Sequence, residues 1–177
     1  MSLKTFDQLD WITPEAEEFA DYWRSLPRDG GVPNRSAFDP TKIVRLLPGI
    51  AMYEVQSGEE VISRLAGTEL VEFFGQEITG KNLLDLWPDE FRDEASRSVT
   101  MMVTQPCGII VILAGRTRSG KIARSAAVGF PLLDHDDICN RLIFFSSGFV
   151  EAEVRITRED QILSLSVERS TYIDISS

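Results

Sequence analysis

Residues 61–91, VISRLAGTELVEFFGQEITGKNLLDLWPDEF, hold a short strand, two short helical segments and the start of a longer helix. Residues 61–66 alternate between two faces, which is the period of a half-buried strand. Leu70, Phe73 and Phe74 follow helical spacing and give the next segment one apolar face. A strand followed directly by such segments predicts helices that cross a sheet and pack on it.

Capping residues divide this stretch into separate elements. Gly75 stands where a left-handed helix end is typical, and Asn82 can cap a short turn rich in leucine. Pro88 blocks continuation of that turn and opens a helix over residues 89–104. The apolar side chains of that helix recur on one stripe, which requires a partner. We therefore expect these helices to cover one face of a sheet.

Five strands are predicted around the crossing helices. Residues 50–55 and 61–66 form a hairpin closed by a polar loop. Residues 107–114 are nearly all apolar and β-branched, and residues 121–133 and 138–149 follow them as a meander. Hairpin connections make neighbouring strands antiparallel. The fold class expected is α+β, a PAS-like five-stranded antiparallel sheet with helices on one face, plus N-terminal helices and a C-terminal extension.

Both ends extend beyond this sheet. Residues 1–49 are expected to be an N-terminal helical extension, in which Thr13-Pro14-Glu15 begins a helix with an apolar stripe. That stripe packs on its own domain or contacts a partner. Residues 50–149 form the predicted core and residues 150–177 the tail. Apolar and polar residues alternate in the tail, which is either an extra strand or an arm that pairs with another copy.

Composition limits the partners that we expect. The 177 residues carry a formal net charge of −10, which repels polyanions and argues against nucleic acid and against an anionic membrane. The longest apolar run, residues 107–115, is far below the ~20 residues of a bilayer span. Residues 1–13 show no signal-peptide pattern. Cys107 and Cys139 lie in apolar strands, which fits a reducing cytoplasm, although one disulfide is compatible with the sequence.

The segment GTELVEFFGQEITGKNLLDLWPDE, residues 67–90, resembles the middle of a PAS domain. There a helix that ends in glycine precedes the pattern Gly-Lys-x-Leu-x-Asp-Leu-x-Pro, and the resemblance covers about residues 50–149. The N-terminal DYWRSLPRDGGVPNRSAFDP, residues 21–40, is similar to a small bacterial family of stand-alone PAS domains of formerly unknown function. The resemblance implies a ligand or cofactor between sheet and helices. It also implies pairing through the outer sheet face and an N-terminal helix.

Ligand-binding residues follow from position on this PAS-like architecture. They are Met52, Arg64, Phe74, Leu84, Trp87, Ile112, Arg124 and Phe145. Arg64 and Arg124 are charges inside apolar strands, so each could hold a carboxylate or phosphate of a ligand, point to solvent, or pair with Glu54. Tyr53 and Trp87 could offer a hydroxyl and an indole N–H to a ligand, or serve as core residues.

The cofactor is unknown from the sequence, and several kinds are disfavoured. Haem-binding PAS domains resemble one another in a histidine on the helical side, but His135 lies in the polar turn 134–137. The flavin photosensors among PAS domains resemble one another in a helix cysteine beside the isoalloxazine, but both cysteines here lie in predicted strands. The turn itself is interpreted as solvated and not as a metal site, because no second His or Cys cluster supports one. Residues 115–120, GRTRSG, lack the P-loop ending.

These patterns predict a non-catalytic PAS-like sensory or adaptor module of the bacterial cytoplasm. It would bind a small ligand, a signalling partner such as a kinase or regulator, or both, and would form a homodimer. One alternative is a small α+β cone-fold enzyme of the isomerase or dehydratase type, with Asp85 or Glu54 as base. Another is a purely structural oligomerisation domain. An apolar cavity with an unpaired carboxylate would favour the enzyme, and a filled core would favour the structural domain.

Overall fold

The described residues fold around one six-stranded antiparallel sheet with the strand order β2-β1-β5-β4-β3-β6. The computed structural model describes residues 2–149 and 159–176. The strands are β1 Ile50–Val55, β2 Val61–Ala66, β3 Gly108–Thr117, β4 Ile122–Leu133, β5 Cys139–Phe149 and β6 Ile162–Ile173. The five predicted strands are present, but the count of five is wrong because the tail contributes a sixth.

The sixth strand extends the sheet beyond β3. β6 pairs with β3 from Gly108 opposite Ile173 to Thr117 opposite Ile162. The described part of the tail is therefore a strand that belongs to the same sheet as β1–β5. Residues 150–158 and 177, which also belong to the predicted tail, lie outside the described residues, as does residue 1. The division at residues 49 and 149 stays a prediction.

In the described residues, three α-helices and several 3₁₀ turns accompany the sheet. They are α1 Pro14–Ser25, α2 Thr68–Phe74 and α3 Asp89–Thr104, with 3₁₀ turns at Phe6–Gln8, Arg35–Ala37, Pro40–Lys42, Val44–Gly49 and Leu83–Leu86. The Thr13 hydroxyl accepts a hydrogen bond from the Ala16 N–H and caps α1. Gly75 ends α2 at a φ of 67°, so the predicted left-handed helix end is confirmed. Among the described helices, none combines the length and apolarity that crossing a membrane requires.

Helices lie on both sides of the sheet. On one side, here called the filled face, α1 packs against alternate residues of the strands, such as Met52, Phe130 and Phe145. On the other, here called the cavity face, α2 and α3 pack over the intervening residues, such as Tyr53 and Leu142. The crossing helices thus share one face as predicted. The open question about α1 is answered too, because its apolar stripe is buried on its own sheet.

Trp23 fixes α1 to the filled face. Its ring stacks on Phe130 at a centroid distance of 4.6 Å, and its Nε1–H donates to the Pro131 carbonyl over 3.1 Å. The Arg28 guanidinium lies over the same indole at 4.4 Å. Arg28 Nη2 also donates to the carbonyls of Trp23 at 2.9 Å and Arg24 at 2.8 Å, which end the helix. The segment at residues 21–28 is therefore a structural anchor.

Candidate functional site

A cavity of about 650 Å³ lies between the sheet and the helices α2 and α3. Strands β1 and β3–β6 form its floor, and its wall comes from α2, the Leu83–Leu86 turn and α3. Most lining side chains are apolar, including Leu70, Phe73, Leu84, Val99, Met102, Ile109, Val111, Leu113 and Leu165. A volume of this size and an apolar lining are typical of sites that enclose a small molecule.

Small side chains on β4 explain why the cavity face is hollow. Ser125 and Ala127 line the cavity, and both are buried. Gly129 follows on the same face, and a Cβ there would lie 2.2 Å from the ring of Phe144. Phe144 therefore lies over Gly129, where no other residue type would leave room for its ring. The alternation of the strand places small residues at the centre of the floor, and none of them fills the space above it.

Few polar groups of the described residues reach the interior of the cavity, away from its charged rim, and these groups are neutral. Ser125 and Ser98 supply hydroxyls, and the Ser98 Oγ lies 3.0 Å from the Tyr172 hydroxyl oxygen. Burial raises the pKa of Tyr53, so its phenol stays protonated. Trp87 is buried, and its Nε1–H has no hydrogen-bond partner among the described residues. The interior can therefore offer hydrogen bonds but no charge.

The charged lining residues stand where the cavity meets solvent. Glu69 and Glu72 of α2 and Glu94 of α3 are exposed, and Glu15 and Arg45 come from the N-terminal extension. Arg45 is itself paired with Glu15 at 3.4 Å and with a second glutamate of α1, Glu18. The opening is defined here by Glu15, Arg45, Glu69, Glu72 and Glu94. It therefore carries an excess of negative charge.

The structure brings four of the eight predicted ligand-binding residues to the cavity. These are Phe74, Leu84 and Trp87, together with Phe145, which lines the cavity although it packs in the core of the filled face. Met52 packs in the core of the filled face, and Ile112 lies between Val111 and Leu113, whose side chains line the cavity. Because successive strand residues face opposite sides, the assignment of Met52 and Ile112 was one residue out of register.

Arg64 and Arg124 lie outside the lining. The Arg64 Nε donates to Glu54 Oε2 over 2.7 Å, and Arg141 pairs with the same carboxylate. Burial raises the pKa of Glu54, but the hydrogen bonds from Arg141 and Arg64 outweigh it and leave the pKa below its usual value. The Arg124 Nε donates to both oxygens of Glu168, at 2.9 and 3.1 Å. Of the alternatives for Arg64, the structure shows pairing with Glu54.

The floor residues of β3 and β4 were missed by the sequence reasoning. Val111, Leu113, Ser125 and Ala127 line the cavity, and none was assigned to it. A usable signal was present in residues 123–132, where small residues at odd positions alternate with larger ones at 128, 130 and 132. That contrast indicates that one face of the strand is tightly packed and that the other leaves space above its small side chains.

The residues suited to haem or flavin attachment lie elsewhere. Cys107 precedes β3 and Cys139 begins β5, and burial raises the pKa of each thiol to about 11. Both are free, and neither they nor His135 line the cavity. The cavity lining therefore fits neither a cysteinyl-flavin adduct nor a haem held by histidine.

In the turn at Asp134–Asp137, the Asp134 carboxylate accepts hydrogen bonds from the backbone of the turn itself. Asp134, His135 and Asp136 bring potential metal ligands within 4.8 Å of one another. However, Asp134 Oδ1 accepts the N–H groups of Asp136 at 2.9 Å and Ile138 at 3.0 Å. Its Oδ2 accepts the amide of Asn140 at 2.6 Å. These contacts account for Asp134 as a turn residue.

The two carboxylates considered as catalytic bases are both paired. Asp85 Oδ1 lies 3.1 Å from Arg92 Nη2, and Glu54 is held by its two arginines. Neither lines the cavity. The arrangement that would favour the enzyme, an unpaired carboxylate in an apolar cavity, is not formed by either residue. The filled core expected of a purely structural domain is found on one face only.

Several solved structures are similar to part of the chain. The dark-state LOV domain of the blue-light photoreceptor aureochrome1 is 14% identical with a TM-score of 0.48, covering 66% of this chain and 86% of that chain. A Vibrio cholera VqmA–ligand–DNA complex is 14% identical with a TM-score of 0.47, covering 61% and 49%. An RNA-binding light-oxygen-voltage receptor is 11% identical with a TM-score of 0.48, covering 70% and 37%. None of these matches decides what this chain binds.

The exclusion of a nucleic-acid partner was wrong. Two of the similar structures are a DNA complex and an RNA-binding receptor. The net charge of −10 is a sum over the whole chain and does not describe any one patch, so it cannot exclude such a partner.

The family comes from the sequence match. No curated protein sequence matches the chain. A sequence model of the PAS domain family matches residues 12–143, which is well over half of the 177 residues. The matched range includes α1 and its anchor as well as β1–β4. The chain belongs to the PAS domain family.

Proposed function

We propose that this chain is a non-catalytic sensory module that binds a small, largely apolar molecule in the cavity between the sheet and helices α2 and α3. The observation that carries the proposal is the cavity itself, about 650 Å³ with a mostly apolar lining. Side chains around an empty space lose dispersion contacts, which a bound molecule restores. Phe74, Leu84, Trp87 and Phe145 would contact that molecule.

Binding would be sensed through α1 and α2. Phe145 lines the cavity, and its ring also lies 5.9 Å from the ring of Phe19 in α1. Glu15 and Arg45 of the N-terminal extension lie at the opening of the cavity, together with residues of α2. A molecule in the cavity would thus stabilise contacts between the extension and the sheet.

The two free cysteines support a location in the reducing cytoplasm.

A fluorescent apolar probe tests the proposal. N-phenyl-1-naphthylamine is neutral and fluoresces more strongly in an apolar site. Titration of the purified chain should give saturable binding with one probe per chain. Native mass spectrometry of protein purified from cells would show any molecule that occupies the same cavity. A titration that rises linearly without saturation would contradict the proposal.

A blocking variant locates the probe. Ala127 lies on the cavity floor, so Ala127→Leu should weaken binding at least tenfold while the far-ultraviolet circular dichroism spectrum stays unchanged. Gln105→Leu is the matched control, because it adds a leucine at an exposed position outside the lining. Equal binding by both variants would place the probe elsewhere and overturn the assignment of the site.

A further inference from the structure

We infer that the cavity takes neutral or positively charged apolar molecules and discriminates against anionic ones. This inference rests on the proposed ligand-binding function and names the class of ligand for the same site. Two independent features of the cavity carry it. One is the charge at its opening, and the other is the chemistry of its interior.

The opening is bordered by four glutamates and one arginine. Glu69 and Glu72 stand one turn apart on α2, and Glu94 comes from α3. Among the described residues that line the cavity, Arg45 is the only cation, and it is held in ion pairs with Glu15 and with Glu18 of α1. An approaching carboxylate, sulfonate or phosphate therefore meets repulsion, and an ammonium group meets attraction.

Within the part of the chain that the structure describes, no cation reaches the interior of the cavity to compensate this repulsion. Among the described residues that line it, the buried ones are apolar apart from Tyr53, Trp87 and Ser125. Arg64 and Arg124 lie outside the lining and are paired with Glu54 and Glu168. An anionic group that entered would lose hydration without gaining an ion pair, which is unfavourable.

The indole of Trp87 indicates what the interior can accept. This side chain is nine-tenths buried, lines the cavity, and leaves its Nε1–H without a partner among the described residues. A neutral oxygen or nitrogen acceptor in a ligand can satisfy such a donor without bringing a net charge. The preferred ligand is therefore an apolar body with neutral acceptor groups, and any charge that it carries is positive and lies at the opening.

A pair of probes that differ by one sulfonate group tests the inference. 8-Anilino-1-naphthalenesulfonate has the skeleton of N-phenyl-1-naphthylamine plus one sulfonate. At low ionic strength the neutral probe should bind at least about tenfold more tightly. The ratio should fall as salt rises, because charges are screened over about 8 Å at 0.15 M ionic strength. Equal affinities, or tighter binding of the sulfonate, would overturn the inference.

Charge reversal at the opening locates the effect. The double variant Glu69→Lys/Glu72→Lys should raise sulfonate affinity severalfold relative to the neutral probe. The variant Glu60→Lys is the control, since it changes an exposed glutamate of the β1–β2 turn, outside the lining. If the double variant does not fold, Glu94→Lys tests the same opening from α3. A ratio unchanged in both opening variants would overturn the assignment to the opening.

The outcomes separate this inference from the proposed function. If neither probe binds, the proposed function fails and the inference fails with it. If both bind equally and Ala127→Leu weakens both, the cavity binds ligands and only the charge selection is wrong. If the neutral probe alone responds to the opening variants, the opening has no electrostatic role and the inference is again overturned.

Discussion

The two faces of the sheet are built from the same strands and differ in how much of the space above them is filled. On the filled face, Trp23 stacks on Phe130, and a helix covers the centre of the sheet. On the cavity face, Ser125 and Ala127 occupy the corresponding part of β4 beneath about 650 Å³ of open space. One strand therefore supplies both the anchor for α1 and the floor of the cavity. Stability and the proposed ligand binding would then depend on opposite sides of it.

The largest expected effect is truncation of a ring on the filled face. Phe130 is fully buried and contacts Phe6, Phe19 and Trp23. Phe130→Ala should lower the free energy of unfolding by about 3–5 kcal/mol, because it removes the ring and leaves a hole in a packed core. Urea unfolding followed by circular dichroism measures the change.

Phe144→Ala provides the matched truncation on the cavity face. Phe144 is half-buried, borders the cavity and contacts Tyr53 at a centroid distance of 5.8 Å. Its ring has fewer neighbours to lose, so the variant should cost clearly less than Phe130→Ala. If the two variants destabilise the chain equally, the contrast between the faces is incorrect.

The sequence could predict this contrast only in part. Glycines, caps and alternation identified the crossing helices and five strands, because those signals are local. The burial of α1 on the filled face depends on a partner more than a hundred residues away, the Pro131 carbonyl that Trp23 contacts. The floor of the cavity was not predicted, because it depends on the space that the small side chains of Ser125 and Ala127 leave above them. Met52 and Ile112 were misplaced because a shift of one residue reverses the side that a strand residue faces.

Two of the three tryptophans give the next comparison. Trp23 donates its indole N–H to Pro131, whereas the N–H of Trp87 has no partner among the described residues. Trp23→Phe should lower the free energy of unfolding by about 3 kcal/mol, because it leaves a buried carbonyl unsatisfied and removes part of a stacked ring.

Trp87→Phe removes a buried donor that makes no hydrogen bond to any described residue, so the unliganded chain should change little in stability. Thermal unfolding of both variants side by side measures the difference. A loss at Trp87 as large as that at Trp23 would show that the wall of the cavity is as tightly packed as the filled face.

Two adjacent alanines on β4 give a smaller expected change in stability and a more direct comparison of the two faces. Ala126 borders a void on the filled face that is too small for water, and Ala127 lies on the cavity floor. Ala126→Leu should lower the free energy of unfolding by about 2 kcal/mol through overpacking. Ala127→Leu should be tolerated, because its added atoms enter existing space.

Chemical unfolding of the two leucine variants measures both changes under one set of conditions. The pair carries its own control, since the same substitution is made one residue apart on one strand. If Ala127→Leu is the more destabilising of the two, the space above the floor is not available to a side chain.

The smallest effect concerns charge. Glu54 is held by Arg64 and Arg141, and this pairing leaves the pKa of the carboxyl below its usual value. Glu54→Gln should lower the free energy of unfolding by about 1 kcal/mol near neutral pH, or a melting temperature by about 2–4 °C. Glu72→Gln at the opening is the control and should change the melting temperature by less.

The pH dependence of that difference follows from the direction of the pKa shift. A depressed pKa in the folded chain stabilises it above the unfolded pKa of about 4.3, and this stability is lost as the pH falls through the folded value. The melting temperatures of the native chain and Glu54→Gln should therefore differ by a constant amount from pH 6 to 8 and converge below about pH 4.3. A difference that stays constant as the pH falls below about 4.3 would mean that Glu54 contributes by packing, and Glu54 would then behave like Glu72, the control at the opening.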